Sequence, residues 1–161
     1  MRQVKILTII NLLMIIQFQS CASAQIVDVK DNDGVTYLRT KTNGKGKRFF
    51  YVDFTGKEIE ICRNPDVKAV IPSFSPELIE KYVSSNLYRD ETSEYNGNVI
   101  VAILIDENDK IIEYRILKNI YSCEQCAFQV LELLKNIKEC KSAEHNGEKV
   151  KSIVYVSIPF R

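Results

Sequence analysis

One run constrains this chain more than any other: Asn98-Val99-Ile100-Val101-Ala102-Ile103-Leu104-Ile105, β-branched and apolar on both of its alternating faces. Successive side chains of a strand point to opposite sides, and a short apolar run of this kind reads as a strand. The polar turn Asp106-Glu107-Asn108-Asp109 follows, and residues 110–118 return as Lys-Ile-Ile-Glu-Tyr-Arg-Ile-Leu-Lys. Two β-branched runs around a polar turn predict an antiparallel hairpin.

The flanking segments complete the pattern. Upstream, Ser75-Pro76-Glu77 supplies an N-cap, a first-turn proline and an acid near the positive end of the dipole. Leu78, Ile79, Tyr82 and Val83 then recur at helical spacing, which predicts a helix to about Ser85. Downstream, Ser122 with Gln125 reads as a capping box, and Cys126, Val130, Leu133, Leu134 and Ile137 share one face of a second helix. Asn146-Gly147 marks a turn, and residues 150–160 form a last long strand. The expected class is α+β: a three-stranded antiparallel sheet with two helices on one face, preceded by a small β-rich N-terminal segment.

Within that segment, residues 35–38 read as a strand and residues 42–47 as a flexible basic turn. Residues 49–54 and 58–62 flank Thr55-Gly56-Lys57 as a hairpin.

Composition narrows the function. The formal net charge of +1 over 161 residues excludes the strong basic field on which nucleic-acid binders rely, so no nucleic-acid partner is expected. With one histidine, His145, a His-rich metal cage is excluded. No phosphate loop, nucleophile elbow or calcium loop is present, and neither a cofactor nor a metal is expected.

The first 24 residues read as an address. Arg2 and Lys5 precede an apolar run over residues 6–16, and small residues follow. The run falls short of the ~20 residues that span a bilayer. Ala22-Ser23-Ala24 fits a cleavage site that leaves Gln25 first, whereas Phe18-Gln19-Ser20-Cys21 resembles a bacterial lipobox that would leave Cys21 as a candidate lipidation site. Either way an exported chain is expected, periplasmic or membrane-anchored as a lipoprotein. In an oxidising compartment Cys62, Cys123, Cys126 and Cys140 become candidates for disulfides, with more than one pairing open. Cys123-Glu124-Gln125-Cys126 also fits a thiol-disulfide oxidoreductase, but such sites follow a strand in a parallel unit, and no parallel unit is legible here.

The predicted element order leaves the last strand at a sheet edge that nothing later in the chain covers. An open edge is a liability unless it is used, and its main-chain groups accept an added strand from another protein. The candidate partner-binding residues are therefore Ser152, Ile153, Val154, Tyr155, Val156, Ser157 and Ile158, supported by Asn146 and Gly147.

Several of these pieces, in this order, resemble the C-terminal domain of TonB, the envelope protein that couples inner-membrane energy to outer-membrane transporters. Residues 97–106 are similar to that family's G-x-V-x-V-x-F-x-V-D strand, and Asp109-Lys110-Ile111 to its turn and second strand. His145-Asn146-Gly147-Glu148-Lys149-Val150 is similar to its Q-N-G-K-P-V turn, and Ile158-Pro159-Phe160-Arg161 to its terminal P-x-x-F-R. The chain departs from the pattern at Arg89 and Ser142, where the family has proline, and at Cys140, where it has tryptophan. With four prolines in all, the chain also lacks a polyproline spacer. The resemblance covers residues 71–161 and implies a TonB-like domain there, while the residues themselves give the leader over 1–24 and the hairpin-rich segment over 25–66. It further implies a non-enzymatic binding module of the Gram-negative envelope with a role in transport, whose partner is the N-terminal segment of a TonB-dependent outer-membrane transporter. A structural lipoprotein that only forms homodimers is the other non-enzymatic expectation.

Overall fold

A computed structural model of the chain describes residues 25–31, 33–74, 96–121, 123–137 and 139–160. The elements, in order, are β1 (Gln25–Lys30), β2 (Thr36–Asn43), β3 (Gly46–Val52), β4 (Glu58–Ile61), β5 (Gly97–Ile105), β6 (Ile111–Lys118), α1 (Glu124–Lys135), β7 (Ala143–His145), β8 (Glu148–Val150) and β9 (Ser152–Phe160). They form sheets ordered β1-β2-β3-β4, β6-β5-β9 and β7-β8. Every strand pairing among the described residues is antiparallel. The class is α+β, dominated by antiparallel sheet. The helix expected at residues 75–85 and the leader with Cys21 lie outside the described residues.

β5 is the centre of the molecule. Val99, Val101, Ile103 and Ile105 share one buried cluster with Cys126, Val130, Leu133 and Leu134 of α1. Val156, Ile158 and Phe160 of β9 complete that core. The opposite face carries Leu104, which packs with Tyr37, Leu38, Tyr51 and Ile61 of the N-terminal strands. The expectation that one covered sheet face suffices is therefore corrected. Because β5 is apolar on both faces, the N-terminal sheet lies across the side that α1 leaves bare.

That second interface holds a buried cation. Arg115 on β6, opposite Ala102, is 1% exposed. Its guanidinium lies 4.2 Å from the Phe54 ring centroid and 5.3 Å from that of Tyr51. It donates to the Thr36 carbonyl at 3.4 Å and to Glu113 Oε1 at 3.3 Å. The Tyr51 hydroxyl donates to the same carboxylate oxygen at 2.5 Å. Burial, reinforced by this bond, pushes the Tyr51 phenol well above its ordinary range. One polar network from β6 thus meets β2, β3 and the turn after β3, and it fixes how the two sheets sit together.

Local boundaries also shift. Residues 42–47 are not a loose turn: Asn43 pairs with Gly46, so only Gly44 and Lys45 lie between β2 and β3. β3 stops at Val52, because the Asp53 carboxylate accepts from the N–H groups of Thr55 and Lys57 and closes the turn. The expected strand over residues 150–160 divides into β8 and β9, with Lys151 between them. α1 begins at Glu124 with Cys123 at its N-cap and no side-chain cap bond from it, and Ser122 of the expected capping box lies outside the described residues.

Replacing Arg115 by Met should cost about 3 kcal/mol, because it strips the Glu113 carboxylate of its buried cation. Chemical denaturation of the Arg115→Met chain, read with the near-ultraviolet signal of its tyrosines, checks this.

Candidate functional site at an open strand edge

β9 pairs along its whole length with β5 on one side. Its other side is the sheet edge. Which main-chain groups face outward follows from Pro159, which lies opposite Asn98. Proline has no N–H and sits in strands where its nitrogen turns away from the ladder. Main-chain groups alternate between the two sides of an antiparallel strand. Ile153, Tyr155 and Ser157 therefore turn outward with Pro159. Lys151 is in the same phase, and its carbonyl does point outward, accepting from the Cys62 N–H at 2.8 Å. Beyond that bond, residues 152–160 have no main-chain partner on the outer side among the described residues.

A connector runs beside this edge without closing it. Val67 exchanges main-chain bonds of 3.0 and 2.9 Å with Glu144, and Val70 exchanges bonds of 3.1 and 2.8 Å with Lys141. These zip the connector to the segment that leads into β7 and leave a groove of about 490 Å³ between residues 62–69 and residues 152–155. Tyr155 stands at the groove with half its surface exposed, while its phenol, desolvated beside Tyr37, is pushed up to about 12 and stays protonated at neutral pH. Ser152, Val156 and Ile158 turn their side chains inward and are buried; the first half of the edge is the part lined by the groove.

Asn146 and Gly147 are not part of that edge. They form the two-residue turn of the β7–β8 hairpin, with φ of 53° and 79°, the left-handed pair that such a turn requires. The Asn146 N–H donates to Asp66 Oδ2 at 2.7 Å, so the turn grips the connector rather than β9.

The segment after α1 meets the turn between β5 and β6. The Ser142 hydroxyl accepts from the Asp109 N–H at 2.9 Å and lies 2.6 Å from Asp109 Oδ1 and 2.7 Å from the Asp106 carbonyl, which share its proton. Cys140 donates its thiol proton to the Asp109 carbonyl at 3.1 Å. Lys149 reaches Asp109 Oδ2 at 2.5 Å, and these bonds hold the Asp109 carboxyl well below its usual range. Hydrogen bonds thus fasten the segment before β7, and Lys149 of β8, to the β5–β6 turn.

Of the candidate cysteines, Cys123 and Cys126 are joined, while Cys62 and Cys140 are free thiols, which corrects their candidacy for a disulfide. Cys123 and Cys126 are 5% and 2% exposed. Thiol–disulfide exchange needs a sulfur that an attacking thiolate can reach, so the bridge acts here as a staple across the first turn of α1. The sequence marks a connector by Asn64-Pro65 and Ile71-Pro72 but not its pairing with residues 141 and 144, because a main-chain zip leaves no mark in side-chain pattern. Comparison with family models, curated proteins and solved structures returns no match.

Two outcomes are expected. Asp109→Asn should lower the thermal midpoint at neutral pH. The folded carboxyl titrates below its ordinary 3.8, so its contribution is complete above about pH 4 and is lost as pH falls through the acid range, where the two chains converge. Under native conditions, mild dithiothreitol followed by alkylation and mass mapping should label Cys62 and leave Cys123 and Cys126 unlabelled.

Proposed function

We propose that this chain is an exported, non-enzymatic binding module that recruits a protein partner by strand addition on β9. The observation that carries this reading is the outward row of main-chain groups at Ile153, Tyr155 and Ser157, beside a groove that the connector flanks but does not fill. An incoming extended segment forms a ladder with those groups, and side-chain pockets beside the edge choose the sequence. The resemblance to the TonB C-terminal domain supports the N-terminal segment of a TonB-dependent outer-membrane transporter as the partner, and hence a role in transport. In this reading residues 71–161 form the two-helix, three-stranded unit that the resemblance implies, and the leader or a lipid on Cys21 places the module in a Gram-negative envelope.

The test is an NMR titration of the labelled chain with peptides from such transporter segments. The amides of Ile153, Tyr155 and Ser157 should shift and saturate. Absence of shifts at millimolar peptide would remove the proposal. Proline substitution separates the edge from the fold. Ser157→Pro deletes an outward donor and should leave the thermal midpoint within a few degrees while weakening peptide binding. Val156→Pro deletes a donor to β5 and should cost about 1–3 kcal/mol of stability.

A further inference from the structure

The groove beside β9 has a sign. Among the described residues that line it, Arg63 and Lys68 are cationic and none is acidic. Neither pairs with a carboxylate among the described residues, whereas Arg39, Lys41, Arg48, Lys149 and Lys151 all do. Arg63 is nonetheless held in place, with its guanidinium 5.2 Å from the Phe49 ring centroid. A cation stacked on a ring keeps its N–H donors at the plane's rim, free for a carboxylate. The remaining lining mixes this charge with apolar surface from Ala69, Ile153 and Val154.

From this we infer that the groove selects an acidic extended segment, in which carboxylates alternate with apolar side chains. The inference rests on strand addition at β9 and adds the chemistry of the partner. Alternation follows from the strand period of two: residues of one phase meet Arg63 and Lys68, and residues of the other meet the apolar lining. Two charges at a solvent-facing groove contribute modestly to affinity and strongly to encounter and to rejection of basic partners. A basic segment would face two cations that no carboxylate among the described residues pairs. The other cationic side chains near the edge, Lys149 and Lys151, are already committed to Asp109 and Glu107.

The experiment uses three capped heptapeptides that alternate Val with Glu, with Gln or with Lys, titrated into the full exported chain and read by calorimetry and by the amides of Ile153 and Tyr155. The Glu peptide should bind about tenfold tighter than the Gln peptide at low salt, with the Lys peptide weakest and the gap closing as salt rises. In an Arg63→Gln, Lys68→Gln chain with unchanged thermal midpoint, the preference should vanish. Equal binding of all three peptides with edge shifts intact overturns the acidic preference and leaves strand addition standing, as does a preference for Lys. No shift with any of the three overturns both. The peptide comparison on the unaltered chain decides the matter even if the double variant fails to fold.

Discussion

A strand that is apolar on both faces cannot rest at the surface of anything, and β5 is such a strand. Residues 101–105 are completely buried. Antiparallel sheets commonly leave one face to water. Here that option is closed, so α1 covers one side of β5 and the N-terminal sheet covers the other. The four N-terminal strands are therefore a structural necessity of the C-terminal sheet rather than an appendage. Burial on two faces also makes register strict, since a slip of one residue would exchange the two cores.

Bringing two sheets together traps polar groups at their seam, and the chain pairs most of them locally. Arg115 directs Nη1 to Thr36 and Nη2 to Glu113 and its planar faces to Phe54 and Tyr51, leaving its buried Nε without a hydrogen bond, while Tyr51 answers the same carboxylate. Such a network is directional in a way that apolar packing is not, and it specifies one docking of the sheets. At the other end, the Asp109–Ser142 bonds join the β5–β6 turn to the segment after α1.

These two fastenings account for the state of β9. β5 is its inner neighbour along its whole length, its buried side chains belong to the core under α1, and the residue just before it is tied to Cys62 by a bond from the Cys62 N–H to the Lys151 carbonyl. The strand is paired on one side and, among the described residues, keeps one row of main-chain groups outward. Pro159 protects the far end, as proline does on edges that must not extend indefinitely.

How much of this was legible beforehand differs by element. The β5–β6 hairpin, the helix face with Cys126, Val130, Leu133 and Leu134, and the Asn146–Gly147 turn were readable, because each is set by local period or by the backbone freedom of one dipeptide. β1 was not readable as a strand of its own, since all six of its residues are exposed and its pairing with β2 supplies what its side chains do not. The division of the last strand at Lys151 and the groove beside it were equally hidden. Sequence by itself determined the strands of the β5–β6 hairpin and that β5 is apolar on both faces, though not that both would be covered. Only the tertiary structure decided what supplied the second cover, which cysteines met, and how much of the edge stayed open, because those outcomes depend on main-chain bonds between distant segments, and the backbone is the same chemical group at nearly every position.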